Sequence, residues 1–223
     1  MSLSAIVPFK PQNPKTRLSR ILSLKEREAF AEQMLCDMIS TLREAGCMPT
    51  ILSTQPCEFH DPEDFSGVEV LVDSGGLNEA LNRLLDRTRE SILIIMADLP
   101  LVTSWAVDGM LQTPGDIVIA PGRGGGTNAL LIRDPSQFRV NYYGASYLKH
   151  RRIALEKGLS CEVVDSFRLH TDVDEREDLV ELLIHGTGRS RVFLEELGFS
   201  LAVEKGRVGV ERNLSSRSKV NQN

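Results

Sequence analysis

The most constraining feature of the sequence is an unbroken apolar run, SILIIM at residues 91–96, which is followed by Asp98, Leu99 and Pro100. A strand of this composition has no polar face, so it suits the centre of a parallel sheet that is covered by helices on both sides. A carboxylate directly after such a strand lies at the sheet edge where open α/β proteins bind their ligands. The run therefore predicts both a layered fold and the edge that carries a functional site.

Predicted strands and helices alternate along the chain, which is typical of an α/β domain with a mostly parallel central sheet flanked by helices. The first strand is Leu3–Phe9, and Ser23 then opens a long helix with capping-box spacing to Glu26, an apolar stripe and a stop at Gly46. The other predicted strands are 50–53, 68–72, 91–96, 116–120, 128–132 and 161–164, with a final hairpin of 199–205 and 207–210. The other predicted helices are one that carries Leu77, Leu81, Leu84 and Leu85, and those at 104–111, 146–157, 175–184 and 191–197.

The composition is that of an ordinary globular protein, with 41% hydrophobic and 26% charged residues over 223 positions. No internal repeat or interdomain linker interrupts the pattern, which predicts a single domain over residues 1–212. Residues 213–223 are polar and repeat Ser and Asn, so we expect a disordered C-terminal tail.

Charge and hydropathy argue against several classes of protein. A net charge of −5 lacks the clustered basic excess of nucleic-acid-binding proteins, so no nucleic-acid partner is expected. No segment approaches the roughly 20 apolar residues that span a bilayer, and no signal peptide is visible. The four cysteines lie far apart without a C-x-x-C pair, which is typical of thiols in a reducing compartment. We therefore expect a cytoplasmic protein with no membrane partner.

A basic loop at residues 8–18 follows the first strand and contains Lys10, Lys15 and Arg17 among three prolines. Fixed cations at a strand end suit the charge of a triphosphate, and Arg17 can bind an anion through two nitrogens. A solvated basic loop is an equally good interpretation of the spacing alone.

Three aspartates are candidate ligands for a hard cation such as Mg²⁺. Asp98 follows the apolar strand, although an aspartate there can also serve as a turn residue or an N-cap. Asp172 and Asp174 alternate with Val173, so both carboxylates face the same side of an extended segment. Asp174 can instead cap the helix predicted from Glu175, which makes Asp172 the stronger candidate ligand.

Two glycine-rich turns fit a recognition role. Gly75 and Gly76 would let the backbone approach a base or ribose, with Asn78 as a hydrogen-bond donor. The cluster 122–126, followed by Thr127 and Asn128, would offer backbone and hydroxyl donors to an acid or phosphate. Neither turn matches a Walker or a dinucleotide-binding motif, and tight turns explain them equally well. The four histidines show no metal-ligand spacing and no nucleophile partner, so we expect ordinary packed or surface side chains.

Taken together, these segments resemble the nucleotidyltransferases of the glycosyltransferase-A type, and more specifically the 2-phospho-L-lactate guanylyltransferase family of deazaflavin coenzyme F-420 biosynthesis. The motifs that carry the resemblance are VPFK at 7–10, KTRL at 15–18, LNEAL at 77–81, ADLPL at 97–101, GTN at 126–128 and DVD at 172–174, with DL at 178–179. Sugar-nucleotide and molybdopterin relatives carry a glycine-rich first loop that ends in Arg-Met. Pro11, Asn13 and Pro14 replace those glycines here, which favours the phospholactate family.

The resemblance implies a nucleotide-diphospho-sugar transferase architecture, a homodimer, GTP as donor and a small phosphorylated carboxylic acid as acceptor. It implies Mg²⁺ at Asp98, Asp172 and Asp174. The predicted nucleotide-binding residues are Pro8, Lys10, Lys15, Arg17, Gly75, Gly76, Asn78 and Asp98, with catalytic roles for Lys10, Lys15, Arg17 and Asp98. The predicted acceptor-binding residues are Thr127, Asn128, Gly144 and Ser146, although Tyr142 and Tyr143 depart from the glycine-richer bacterial pattern nearby.

The implied reaction is attack by the acceptor's phosphate oxygen on the α-phosphorus of GTP, giving lactyl-2-diphospho-5′-guanosine and pyrophosphate. The acceptor is an anion at neutral pH, so the step needs no general base. Two alternatives stay open at this point. One is a related nucleotidyltransferase that uses phosphoenolpyruvate, another phospho-acid or a sugar phosphate, and the other is a non-catalytic nucleotide-binding regulator.

Overall fold

The structure is a computed structural model that describes residues 3–204 and 206–213. The strands are β1 (Leu3–Phe9), β2 (Cys47–Ser53), β3 (Glu69–Val72), β4 (Ile92–Ile95), β5 (Ile117–Pro121), β6 (Thr127–Ile132), β7 (Cys161–Val163), β8 (Phe199–Glu204) and β9 (Arg207–Arg212). The helices are α1 (Leu24–Glu44), α2 (Leu77–Arg87), α3 (Ser104–Gln112), α4 (Ser146–Glu156), α5 (Phe167–His170), α6 (Asp178–His185) and α7 (Arg189–Glu196). Residues 214–223 of the predicted tail, and Lys205 of the predicted hairpin, lie outside the described residues.

The central sheet has seven strands in the order β3-β2-β1-β4-β6-β5-β7, and β8 and β9 form a separate antiparallel pair. All neighbouring strands of the central sheet run parallel except β6, which is antiparallel to β4 and β5. The predicted mostly parallel sheet flanked by helices is confirmed. The expected central parallel strand, β4, pairs in parallel with β1 but antiparallel with β6, because β6 follows β5 through a short turn and a short connection forces an antiparallel pair.

A β-bulge interrupts the pairing of β5 with β6. Ala120 lies opposite Ala129 and Pro121 lies opposite Thr127, so Asn128 has no residue opposite it on β5. A bulge of this kind changes which face of the sheet the neighbouring side chains point to.

Both faces of the sheet are covered, as the apolar run predicts. Every residue of β4 is buried, and its side chains alternate between two cores. Leu93 and Ile95 pack with α1 and α3, and Ile92 and Ile94 pack on the α2 and α4 side. A third cluster joins α1, α6 and α7 to the β8–β9 hairpin.

The predicted features of α1 are confirmed. Ser23 Oγ accepts a hydrogen bond from the Glu26 backbone N–H at 3.3 Å, and Glu26 Oε2 accepts one from the Ser23 N–H at 2.8 Å. The apolar stripe is buried, and Gly46 after the helix has a φ of 72°, which glycine adopts without strain.

The chain before α6 differs from the sequence-based expectation. Asp178 Oδ2 accepts hydrogen bonds from the backbone N–H groups of Asp174 and Glu175, at 2.8 and 2.7 Å, so this segment forms a turn and the helix begins at Asp178. Asp174 therefore does not cap the helix, and its carboxylate contacts Lys15 instead. The one-turn helix α5 was not predicted, because four residues are too short to show a helical period.

None of the helices within the described ranges is both long enough and apolar enough to cross a membrane.

All four cysteines are free thiols, and burial raises the pKa of Cys36 to about 12.

The N-terminus of α7 is capped by a side chain from another helix, Asp37 of α1. Its carboxylate accepts hydrogen bonds from the backbone N–H groups of Arg189 at 2.7 Å and Ser190 at 3.0 Å, and from Ser190 Oγ at 2.5 Å. A Cβ at Gly188 would lie 2.4 Å from Asp37 Oδ1, so this glycine lets the carboxylate approach.

We predict that Asp37→Ala lowers the free energy of unfolding by about 1–3 kcal/mol, because it leaves helix-terminal donors and a buried hydroxyl without an acceptor. Urea denaturation measures the change. Asp165→Ala is the matched control, since Asp165 is exposed and no described residue bonds to its side chain. Equal losses in the two variants would contradict the capping role.

Candidate active site

Three segments meet at the carboxyl ends of β1 and β4, and Lys15 joins them. Its ammonium lies 2.6 Å from Asp98 Oδ2 and 2.6 Å from Asp174 Oδ1, and only 9% of the Lys15 side chain is exposed. The backbone N–H of Val173 donates to the Asp98 carbonyl at 3.0 Å, which holds the DVD segment beside the end of β4. Burial opposes the charged ammonium, but Asp98 and Asp174 outweigh it and raise the pKa of Lys15.

Asp172 is the third carboxylate of this cluster. Burial, and then the charge of Asp98, raise the pKa of Asp172 above its usual range. Its Oδ1 atom is buried and has no hydrogen-bond partner among the described residues. Arg123 donates to the backbone carbonyl of Asp172 at 3.1 Å and pairs with Asp178 Oδ1 at 2.7 Å. The turn before α6 is thereby held from both sides.

The structure thus brings together the three predicted metal ligands, with a lysine between two of them. Within residues 3–204 and 206–213, no group of three His, Cys, Asp or Glu side chains is arranged to hold a metal ion. The donor chemistry nonetheless fits a hard cation, since Asp98 and Asp174 share one ammonium and a buried oxygen of the third carboxylate, Asp172, lacks a partner among the described residues. The magnesium site stays a prediction.

The other residues of the first loop line two adjoining cavities. A cavity of about 240 Å³ contacts Lys15, Asp98 and Asp174, and a second of about 360 Å³ contacts Gly75 and Gly76. Both cavities are also lined by Pro8, Phe9 and Lys10. The first loop therefore lies between the cavity at Lys15 and the cavity at the Gly75–Gly76 turn, and the nucleotide-binding roles of these residues stay predictions.

Arg17 lies at the rim of this region and not inside it. Its side chain is 67% exposed, and Nη1 lies 3.1 Å from Glu175 Oε1 and 4.0 Å from Asp174 Oδ2. It remains accessible to an anion in solvent, although an exposed pair of this kind contributes little to stability.

The Gly75–Gly76 turn is held by an ion pair that sequence reasoning did not consider. Asp73 Oδ1 accepts from the Gly75 N–H at 2.9 Å, and Arg83 Nε donates to Asp73 Oδ2 at 2.9 Å. Asn78 is engaged as well, since its Oδ1 accepts from the Tyr142 N–H at 2.6 Å and its Nδ2 donates to the Tyr142 carbonyl at 3.2 Å. In this structure Asn78 holds the Tyr142 backbone against α2, and its direct contact with a nucleotide stays a prediction.

The predicted acceptor residues Thr127 and Ser146 meet each other in a buried cluster. Ser146 Oγ donates to Thr127 Oγ1 at 3.2 Å, and His150 Nδ1 lies 3.0 Å from the same oxygen. The backbone N–H of Asn141 donates to His150 Nε2 at 2.9 Å, so Nε2 is unprotonated and Nδ1–H is the donor to Thr127. Thr127 Oγ1 thus accepts two hydrogen bonds, which leaves its own proton as a donor.

Asn128 and Gly144 support this cluster differently. Asn128 Nδ2 donates to the carbonyls of Leu169 at 2.9 Å and His170 at 3.2 Å, which positions the segment that leads to Asp172. Gly144 has a φ of 59°, and its carbonyl accepts from the Ser146 N–H at 2.8 Å at the start of α4. Direct acceptor contact by any of these four residues stays a prediction, since Thr127, Asn128 and Ser146 are buried.

Two residues with clear structural links to the site were missed in the sequence. His150 lies on the buried face of α4, four residues after Ser146 and four before Ala154, and that spacing was the available clue. Arg27 lies on α1 three residues before Phe30, so it falls on the buried stripe, and an arginine there is unusual. It donates to the first loop at Asn13 and Pro14.

Burial lowers the pKa of His150 to about 4, so the ring is neutral at physiological pH. The unfolded chain binds a proton at this position below about pH 6.5 and the folded protein does not until about pH 4, so stability falls as the pH decreases through this window.

We predict that His150→Gln removes about 3 kcal/mol of this pH-dependent change in the free energy of unfolding. Urea titrations at several pH values measure it. His185→Gln on α6 is the control, and parallel curves for His150→Gln and the wild type would contradict the prediction.

Comparison with known proteins agrees with this architecture. The family model described as "Guanylyl transferase CofC like" matches residues 3–216. The chain is 55% identical to a 2-phospho-L-lactate guanylyltransferase of Methanoregula boonei over 93% of this chain and 94% of that protein. It is 51% identical to the protein of that name from Methanoculleus marisnigri, over 96% of this chain and 97% of that protein.

Solved structures share the fold at low sequence identity. A Desulfovibrio desulfuricans structure described as a nucleotide-diphospho-sugar transferase has a TM-score of 0.68 at 18% identity, covering 88% of this chain and 95% of that one. A nucleotidyl transferase from Methanothermobacter has a TM-score of 0.56 at 15% identity, covering 87% and 99%. The nucleotide-diphospho-sugar transferase architecture predicted from the sequence is thereby confirmed, and the chain belongs to the family of CofC-like guanylyl transferases.

Proposed function

We propose that the protein joins the guanylyl group of GTP to (2S)-2-phospholactate, giving lactyl-2-diphospho-5′-guanosine and pyrophosphate. The observation that carries the proposal is the Lys15 cluster, in which a buried ammonium and three carboxylates converge beside cavities bordered by the first loop and the Gly75–Gly76 turn. Two relatives at 51–55% identity over nearly their whole length carry the name of this activity, which supports the choice of substrates.

The cations of the first loop supply the charge that a triphosphate needs. Lys10 and Lys15 line the cavity beside Asp98, and Arg17 lies at its rim. Neutralising and orienting the phosphates is the main task of a phosphoryl-transfer enzyme, because the bond change itself requires little covalent chemistry from the protein. We assign this role to Lys10, Lys15 and Arg17.

Asp98, Asp172 and Asp174 would hold Mg²⁺, which would neutralise charge on the α-phosphate and the departing pyrophosphate. What the chain itself contributes is the placement of the three carboxylates. The bond from Val173 to Asp98, the turn fixed by Asp178 and the anchoring of residues 169–170 by Asn128 all serve that placement.

The acceptor phosphate attacks the α-phosphorus in line with the leaving pyrophosphate, so the acceptor lies on the opposite side of that phosphorus from the first loop. The acceptor is already anionic, so no residue has to remove a proton. Thr127, whose own proton is left as a donor, is our choice for contact with the acceptor, and Ser146 and His150 orient its hydroxyl. We further propose that the protein works as a cytoplasmic homodimer.

The proposed activity predicts pyrophosphate release that depends on both substrates and on Mg²⁺. The test incubates the protein with each of the four nucleoside triphosphates and a panel of 2-phospholactate, phosphoenolpyruvate, 3-phosphoglycerate and glucose 1-phosphate. We expect GTP with 2-phospholactate to give the highest kcat/KM and a product with the mass of lactyl-2-diphospho-5′-guanosine. A higher kcat/KM with another nucleotide or acceptor would reassign the substrates, and GTP binding without pyrophosphate release would indicate a regulator.

Asp98→Asn should reduce kcat on the order of 10²–10³-fold, because it removes a charge that acts directly on the phosphate site. The fold should persist, since the Asp98 side chain is partly exposed and, among the described residues, forms a hydrogen bond with Lys15 alone. Steady-state kinetics over a magnesium titration, with thermal unfolding in parallel, measures both effects. Asp165→Asn is the exposed control. Near-normal turnover of Asp98→Asn at saturating magnesium would contradict the assignment of Asp98 to the phosphate site.

A further inference from the structure

Arg27 is a buried cation that forms no ion pair with any described residue. Only 6% of the residue is exposed, and Nη1 donates to Asn13 Oδ1 at 2.9 Å and to the Pro14 carbonyl at 2.5 Å. Its Nε is buried and has no hydrogen-bond partner within the part of the chain that the structure describes. A buried guanidinium that is not paired with a carboxylate is costly, so its position on the inner face of α1 calls for a compensating role.

The loop that Arg27 contacts has an unfavourable backbone. Asn13 has a φ of 45° and Lys15 a φ of 49°, and both lie in the left-handed region on either side of Pro14. Asparagine tolerates this region but lysine rarely adopts it, so the surrounding structure must hold Lys15 there. The fixed contacts on the α1 side are the two bonds from Arg27 and a 3.3 Å bond from the Asn13 N–H to Glu28 Oε1.

The Lys15 conformation decides where its ammonium lies. From this backbone the side chain reaches both Asp98 and Asp174, and the short 3-10 helix Thr16–Arg20 begins directly afterwards. A shift of the loop would therefore move Lys15 away from the carboxylates and change the cavity that Lys10 and Pro14 line.

We propose that Arg27 is a positioning residue for the donor site, which fixes the first loop so that Lys15 and Lys10 meet the polyphosphate of a nucleoside triphosphate. The proposal rests on the function proposed above, but its structural part concerns the free protein. It acts through the hydrogen bonds to Asn13 and Pro14 and not through contact with the substrate.

The first experiment uses the full chain without any substrate. Hydrogen exchange compares the wild type with Arg27→Met, which keeps the length of the side chain but removes its donors and its charge. We expect exchange to become at least about tenfold faster in the peptide that covers residues 15–18, where the Leu18 N–H bonds to the Lys15 carbonyl, with the middle of α1 unchanged. Arg43→Met is the matched control, since Arg43 lies on the same helix, is exposed and donates to the Ser66 carbonyl.

The second experiment measures the KM for each substrate separately. In Arg27→Met we expect the KM for GTP to rise on the order of 10- to 100-fold, because a small displacement of a binding loop costs this much. The KM for the acceptor should stay within about twofold, and Arg43→Met should match the wild type in both constants. Arg27→Lys, which keeps the charge without the planar fork, should recover only part of the loss.

If Arg27→Met does not fold, Asn13→Gly replaces it in both assays, because it removes one acceptor of the Arg27 bonds at an exposed position and still allows a positive φ. Loop exchange and a KM for GTP that both stay within twofold of the wild type would overturn the proposal, as would equal increases in both KM values. Failure of the proposed function is a separate outcome, since it would appear as absent turnover in the wild type while the exchange result stands.

Discussion

The buried contact of Lys15 with Asp98 and Asp174 connects the parts of the molecule on which the active site depends. It joins the loop after β1, the end of β4 and the turn before α6, three segments far apart in the sequence. An ammonium with two carboxylates at 2.6 Å is stable in a buried setting only when its geometry is maintained from several sides. The Val173–Asp98 backbone bond, the Asp178 turn and the bonds of Arg27 to the first loop provide those constraints.

The electrostatics of the site differ from those of the chain as a whole. The protein is acidic, with a net charge of −5, yet the first loop concentrates Lys10, Lys15 and Arg17 beside a group of carboxylates. Lys15 and Arg17 form ion pairs with Asp98, Asp174 and Glu175, so part of this positive charge is balanced locally.

The sequence was informative where a pattern is local and less so where contacts are distant. The alternation of elements, the capping box of α1 and the fully buried β4 follow from short-range periodicity, and all were predicted. The antiparallel insertion of β6 depends on pairing between separate strands, which no local pattern specifies. Asp174 was a candidate cap for the next helix in the sequence. In the structure, the Asp178 carboxylate instead accepts the backbone hydrogen bonds that close the turn before that helix.

In the candidate site, too, local patterns could be predicted and contacts between distant segments could not. Asp98 could be placed because it follows an obvious strand, and the first loop because it follows another. The buried roles of His150 and Arg27 depend on polar groups that lie across from them in space, at Thr127 and Asn141 for the histidine and at Pro14 for the arginine. A polar residue on a buried helix face indicates that such a partner exists, but it does not say which one.

The bulge between β5 and β6 determines where the side chains of Thr127 and Asn128 point. In an uninterrupted strand Thr127 would share a face with Ala129 and Leu131, which pack on the α1 side, and Asn128 would share one with Leu130 and Ile132. Instead Thr127 reaches His150 on α4, and Asn128 reaches the carbonyls of Leu169 and His170 on the opposite side. The bulge at Asn128 thus places the side chains of both Thr127 and Asn128 on the opposite face from the one that a regular strand would give them. A residue added to β5 opposite Asn128 would restore regular pairing, exchange the faces of the Thr127 and Asn128 side chains, and break the contacts of Thr127 with His150 and of Asn128 with residues 169–170.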